Sequence, residues 1–133
     1  MKKILVAYDG SEPAKRALWQ TAALARALGS RVTVVSVVPV HSGRFTMEPW
    51  DDRAVHAAEL EEASAFLASR EVEAEVLEPA GNPARTIERI AEEGQFDTVI
   101  IGSRAHGTAA RIFASSVSEH VAMHAKATVV IVR

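Results

Sequence analysis

Short apolar runs alternate with segments of helical periodicity along this chain of 133 residues. The runs predict five strands, at residues 3–8, 31–38, 73–77, 98–101 and 128–132. The segments between them predict four helices, at residues 11–28, 51–70, 83–94 and 108–125, because their apolar side chains recur at helical spacing. Runs that are apolar on both faces are typical of a parallel sheet covered by helices. The pattern therefore predicts an α/β fold with a doubly wound sheet, and an irregular loop at residues 39–50 that is long for a compact domain.

Two of these helices have, at their ends, residues that favour helix termini. Ser11 suits the N-cap of the first helix, Pro13 suits its first turn, and Gly29 suits its C-terminal end. Asn82 is expected to cap the third helix, which Pro83 begins. These residues place the helix boundaries where the periodicity also places them.

Composition narrows the classes of protein to which the chain can belong. Its net charge of −2 gives no electrostatic case for binding nucleic acid or an anionic membrane. The absence of cysteine excludes disulfides, thiolate metal sites and thiol catalysis. No apolar segment approaches the roughly 20 residues that cross a bilayer, and the N-terminus has no stretch suited to a signal peptide. We therefore expect one domain over residues 1–133, located in the cytoplasm, with no nucleic-acid or membrane partner.

Two strand ends lead into small, polar turns. Ala7 precedes a turn that contains Asp9, and Ile101 is followed directly by Gly102. A strand that runs through a glycine turn into a helix N-terminus presents backbone N–H groups to a phosphate. The pattern does not determine the order of the strands in the sheet. In the order 3-2-1-4-5, however, these two strands are neighbours at the point where the winding reverses, and their ends would form one shared site.

Three segments of the chain resemble the universal stress protein family. They are ILVAYDGSEPAKRAL at the start, EPAGNPARTIERIAEE in the middle and IIGSRAHGTAARIFASSVSEHVAMHAKATVVIVR at the end. The resemblance covers practically the full chain. It implies a five-stranded sheet in the order 3-2-1-4-5 with helices on both faces, an adenine-nucleotide α-hydrolase-like fold, and a homodimer. One branch of the family binds ATP or a related adenine nucleotide, and the other branch binds no nucleotide.

The last of these segments departs from the motif of the nucleotide-binding branch. That motif is Gly, two residues, Gly, nine residues, then Gly and Ser or Thr. Gly102 and Ser116 match it, whereas Ala105 and Ser115 replace the second and third glycines. Glycine matters there because phosphates approach the bare backbone. The pair of serines resembles the non-binding branch. The residues around that pair resemble the binding branch: Arg104, Gly107, Arg111 and Val117.

The resemblance also implies which residues would contact a nucleotide. Asp9 could accept a hydrogen bond from a ribose hydroxyl or help to hold a metal ion, such as Mg²⁺ with ATP, or it could only form an Asx turn. The backbone of Val37 or Val38 would meet the adenine edge, and the cations Arg104 and His106 could approach the phosphates. The full candidate set is Ala7, Asp9, Val37, Val38, Ile101, Gly102, Arg104, Ala105, His106, Gly107, Ser115, Ser116 and Val117.

Catalysis and metal binding find little support in the sequence. It contains no Walker sequence, and no nucleophile or acid–base pair beyond Asp9 and the loop histidine. Enzymatic activity is left open, but any ATP hydrolysis would be slow. His120 and His124 lie four apart, a spacing that can hold zinc, yet no third ligand is evident and we predict no metal site.

Two hypotheses of function follow. In the first, the protein is a regulatory module of the stress response in which bound ATP or AMP reshapes the loop at residues 39–50. In the second, it is a nucleotide-free dimer that requires no cofactor and acts through contacts with a client protein that the sequence does not name. Both include a homodimer through the last strand, at Thr128, Val130 and Val132. In the implied order this apolar strand lies at a sheet edge with no proline or inward charge to protect it.

Overall fold

The computed structural model describes residues 1–40, 53–103 and 115–133, and it describes only the backbone of Ser115 and Ser116. Residues 41–50 of the loop predicted at 39–50, residues 51–52 and the segment 104–114 lie outside the described residues. The described elements are β1 (Lys3–Ala7), α1 (Glu12–Leu28), β2 (Arg31–Val35), β3 (Val38–Pro39), α2 (Arg53–Ser69), β4 (Ala74–Leu77), β5 (Ala80–Gly81), α3 (Pro83–Glu93), β6 (Thr98–Gly102), α4 (Ser115–His124) and β7 (Thr128–Val132).

Five strands form one parallel sheet in the order β4-β2-β1-β6-β7. Counting only these longer strands, the order is 3-2-1-4-5, which confirms the predicted topology. β1 lies at the centre of the sheet, where Val6 is paired with Val34 of β2 on one side and with Ile100 of β6 on the other. β7 lies at an edge of this sheet.

The second predicted strand was too long. β2 ends at Val35, and residues 38–39 form the short β3, which pairs with β5 in a separate two-stranded sheet. The N–H of Ser36 still donates to the Leu77 carbonyl of β4 at 3.0 Å, whereas that of Val38 donates to the Pro79 carbonyl at 2.8 Å, beside the pairing of β3 with β5. Ala80 and Gly81 supply the other short strand, which was not predicted.

The core has two layers, one on each face of the sheet. Alternate residues of a strand point to opposite faces. Ile4 and Val6 accordingly pack with side chains of α1 and α2, whereas Leu5 and Ala7 pack with side chains of α3 and α4. This arrangement confirms helices on both faces. The helix that follows β1, α1, and the helix that follows β6, α4, therefore lie on opposite faces of the sheet.

The predicted caps of α1 and α3 are confirmed. The Ser11 hydroxyl accepts a hydrogen bond from the N–H of Ala14 at 3.3 Å, and the Asn82 amide oxygen accepts one from the N–H of Arg85 at 3.1 Å. Gly29 ends α1 with a left-handed φ of 67°. Within the described ranges, no helix combines the length and apolar character needed to cross a bilayer.

Candidate functional site

The carboxyl ends of β1 and β6 meet at the centre of one sheet edge. Val6 is paired with Ile100, so the next residues, Ala7 and Ile101, reach the same edge. The chain continues from β1 into α1 on one face, and α4, which follows β6 in the chain, packs on the other face. In a doubly wound sheet, this divergence opens a crevice at the strand ends in which ligands bind.

Asp9 lies in the turn that follows β1 and is only 1% exposed. Its Oδ1 accepts a hydrogen bond from the N–H of Ser11 at 2.9 Å, and Gly10 allows the reversal with a φ of 78°. This contact is the Asx turn, the structural alternative for Asp9. It does not conflict with a ligand role, because a carboxylate has about four lone-pair sites and can accept several hydrogen bonds.

Gly102 ends β6 directly against the first turn of α1. A Cβ atom at this position would lie 2.6 Å from the carbonyl carbon of Pro13 and 2.7 Å from the nitrogen of Ala14. Real side chains do not approach a backbone so closely, so only glycine fits here without a shift of α1. The first glycine of the motif thus has a packing role that is independent of any phosphate.

Val37 and Val38, whose backbone was predicted to meet the adenine edge, follow β2, and Val38 begins β3. Val37 and Val38 are buried, which leaves their backbone groups as the means of contacting a ligand. The N–H of Val38 already donates to Pro79 within the pairing of β3 with β5. A ligand that used this N–H would have to replace an existing hydrogen bond.

A buried polar cluster that was not among the predicted site residues lies beside this edge. Tyr8 and Ser36 follow β1 and β2 directly, and both are buried. The Ser36 hydroxyl lies 2.7 Å from Nδ1 of the fully buried His56, and the Tyr8 hydroxyl donates to Oε1 of Glu62 at 3.3 Å. Burial raises the pKa of the Tyr8 phenol, and the Glu62 carboxylate raises it further, so the phenol remains a donor at neutral pH.

These contacts join α2, at His56 in its first turn and at Glu62 in its middle, to the ends of β1 and β2. They therefore fix the position of α2, which follows residues 41–52 in the chain, beside the candidate site. The one sequence signal for the cluster was Ser36, a polar residue inside an otherwise apolar run. The sequence shows no sign of the burial of His56.

The remaining candidates fall into two groups. Arg104, Ala105, His106 and Gly107 lie outside the described residues. Ser115 and Ser116 form the beginning of α4, and the side chain of Val117 is buried in the same core layer as Ala7 and Ile101. Because Ala7, Ile101 and Val117 are buried, any ligand contact by them would use the backbone.

Known proteins that are similar to this chain identify its family. A model of the universal stress protein family matches residues 1–133. A Thermus aquaticus protein described as "universal stress protein in QAH/OAS sulfhydrylase 3'region" is 34% identical, over 99% of this chain and 98% of its own length.

Two solved structures share the fold. The universal stress protein from Archaeoglobus fulgidus in complex with dAMP has a TM-score of 0.78 and 25% identity, over 100% of this chain and 98% of that one. A universal stress protein family protein from Arabidopsis thaliana with AMP bound has a TM-score of 0.73 and 22% identity, over 99% and 91%.

Proposed function

Because the chain belongs to the universal stress protein family, we propose that it is a cytoplasmic regulatory module of the stress response that binds ATP or AMP. The observation that carries the proposal is the meeting of β1 and β6 at the switch point, with the buried Asp9 and Gly102 at their ends. The dAMP and AMP complexes of proteins with the same fold support an adenine nucleotide as the ligand.

In this proposal, each part of the nucleotide meets a different chain segment. Asp9 accepts a hydrogen bond from a ribose hydroxyl, and the backbone of Val37 or Val38 meets the adenine edge. The phosphates lie at the beginning of α4, because the first backbone N–H groups of a helix have no partner within the helix and favour an anion. Ser115 and Ser116 occupy that position. Arg104 and His106 neutralise the phosphates, and Mg²⁺ accompanies ATP.

Binding, rather than chemistry, is the proposed activity. The carboxylate of Asp9 is engaged by the N–H of Ser11. The Ser36 hydroxyl and the His56 imidazole pair beside the strand ends, but both residues are fully buried, so this pair is not positioned to meet a ligand as a catalytic nucleophile and base would be. ATP hydrolysis, if present, would be slow, and occupancy of the site would carry the signal through residues 39–50.

The second candidate function is a nucleotide-free protein that acts through contacts with other proteins. The specific observation in its favour is that Ala105 and Ser115 replace two of the three motif glycines. In addition, Gly102 and Asp9 each have a structural role that needs no ligand. Both candidates share the proposed homodimer through β7.

Nucleotide content separates the two candidates. The chain is purified without added nucleotide and denatured with acid, and the supernatant is analysed by absorbance and chromatography. Calorimetric titrations of the ligand-free protein with AMP, ATP and, as the matched control, GTP follow. We expect co-purified adenine nucleotide or saturable binding of AMP or ATP, with weaker binding of GTP. Neither co-purified nucleotide nor measurable binding would contradict the proposal and favour the nucleotide-free function.

A further inference from the structure

Three potential metal ligands meet on the face of the sheet that α3 and α4 cover. Glu88 lies on α3, and His120 and His124 lie one turn apart on α4. Oε1 of Glu88 is 2.6 Å from Nδ1 of His120. The sequence places only the two histidines together, and the packing of the two helices adds the carboxylate.

The two imidazole rings are held side by side. Their centroids are 4.1 Å apart and their planes differ by 22°. Nδ1 of His124 is 2.9 Å from the carbonyl oxygen of His120, and since a carbonyl can only accept, the ring must donate. In the neutral ring, Nε2 of His124 then carries a lone pair that can bind a metal. Such a hydrogen bond on the second nitrogen commonly orients a metal-binding histidine.

The donor atoms are close enough for one ion. One ligand atom of each residue lies within 4.8 Å of the other two. Tetrahedral zinc needs ligand atoms about 3.3 Å apart, given bonds of about 2.0–2.1 Å, and small side-chain rotations close the difference. The side chains of His120 and Glu88 are 41% and 20% exposed, so an ion can reach them from solvent.

The surrounding charge also favours a cation. The cluster lies at the C-terminal end of α4, where the helix dipole is negative. Arg85 also borders the cluster, whereas two other neighbouring basic side chains are paired with carboxylates, Lys126 with Glu92 at 2.8 Å and Arg89 with Glu93 at 3.3 Å. Their positive charge is thereby offset close to the cluster.

We propose that Glu88, His120 and His124 bind a divalent transition-metal ion of the Zn²⁺ type, with water in the fourth position. Two imidazoles and one carboxylate suit zinc, whereas Mg²⁺ and Ca²⁺ prefer oxygen ligands alone. The ion would tie α3 to α4. The histidines lie about 8 and 14 Å along the helix axis from Ser115, where the phosphate contacts are proposed, and the site stands independently of nucleotide binding.

Calorimetric titration of the chain, without a histidine tag, with ZnCl₂ tests the proposal. One equivalent is expected to bind, the melting temperature is expected to rise with zinc, and Co²⁺ is expected to give the visible absorption of a four-coordinate site. Glu88→Gln retains an acceptor for His120 but removes the anionic ligand, so zinc affinity is expected to fall about tenfold or more, the scale at which metal sites respond to altered ligand shells. Glu93→Gln, on the same helix, is the matched control and is expected to bind as the wild type does.

Three results would overturn the proposal. The first is the absence of stoichiometric zinc binding by the wild type. The second is unchanged affinity in Glu88→Gln, or an equal loss in Glu93→Gln, because either would exclude Glu88 as a specific ligand. The third is unchanged binding in His120→Ala, which would locate the ion elsewhere in the chain. The melting temperature of each metal-free variant is measured to exclude a general loss of structure.

Discussion

At the scale of single residues, Asp9 combines two roles that a single substitution can separate. Its Oδ1 closes an Asx turn with the N–H of Ser11, and the residue lies buried at the end of the central strand. Asparagine also forms Asx turns, since its amide oxygen can accept the same hydrogen bond. Alanine cannot accept this hydrogen bond.

We expect Asp9→Asn to leave the melting temperature almost unchanged while weakening nucleotide binding by about 1.5–3 kcal/mol, the scale of a hydrogen bond to a charged group. Asp9→Ala is expected to lower the melting temperature as well. Thermal unfolding and calorimetry on both variants make the comparison. Wild-type affinity in Asp9→Asn would remove this residue from the nucleotide site.

Gly102 is a motif residue whose packing role can be tested without a nucleotide. We expect Gly102→Ala to destabilise the ligand-free protein by about 1–3 kcal/mol, the usual cost of overpacking, because the added methyl group would collide with the backbone of Pro13 and Ala14. Urea unfolding without nucleotide measures this cost. A variant as stable as the wild type would show that α1 can move away and that the glycine serves a ligand instead.

At the scale of elements, the beginning of α4 decides whether the missing glycines matter. Ser115 is the first residue of this helix, and Ala105 lies in the segment that precedes it outside the described residues. A side chain at either position could crowd a phosphate that approaches the backbone. The serine N–H and hydroxyl could also still donate to that phosphate.

We expect Ser115→Gly to tighten ATP binding by about 1–2 kcal/mol, or roughly tenfold in affinity, by relieving this crowding. Ala105→Gly is expected to help less, because it removes a single methyl group. Calorimetry on the wild type, both single variants and the double variant tests the expectation. No binding of ATP or AMP by the wild type or the double variant would assign the chain to the nucleotide-free branch.

At the scale of the whole molecule, β7 lies at an edge of the sheet, and no strand of the described residues pairs with its outer side. The N–H of Thr128 donates to the Asp97 carbonyl, and the Val132 carbonyl accepts from Ser103, so both residues direct their backbone groups towards β6. Backbone groups alternate along a strand of a parallel sheet. Val130 therefore also faces β6, and the groups that could pair with a second copy belong to Val129 and Ile131.

Because of this register, a substitution at Ile131, and not at Val130, tests the predicted dimer. Val130→Pro would break the ladder with β6 and would therefore not report on the dimer alone. Ile131→Pro removes an N–H from the open edge and leaves that ladder intact. We expect the wild type to sediment as a dimer, Ile131→Pro to shift towards monomer, and Ile131→Ala, which keeps the N–H, to remain dimeric. A monomeric wild type, or a dimer that Ile131→Pro does not weaken, would contradict an interface through β7.

Local sequence determined most of the architecture. Helix and strand periodicity, the caps at Ser11 and Asn82, and the end of α1 at Gly29 depend on residues close together in the chain, and the structure confirms them. The family motifs likewise indicated the strand order, and with it the neighbouring ends of β1 and β6. These features could be predicted because their causes are short-range or lie in contiguous motifs.

Only the tertiary structure decided the features that depend on residues distant in the chain. Val38 belongs to a separate short strand because β5 lies beside it, and Gly102 must lack a side chain because α1 packs against it. His56 is buried against Ser36, and Glu88 joins His120 across two helices. Each of these contacts arises from the packing of separate elements. Periodicity records which face of an element is apolar but not which side chain will lie opposite it.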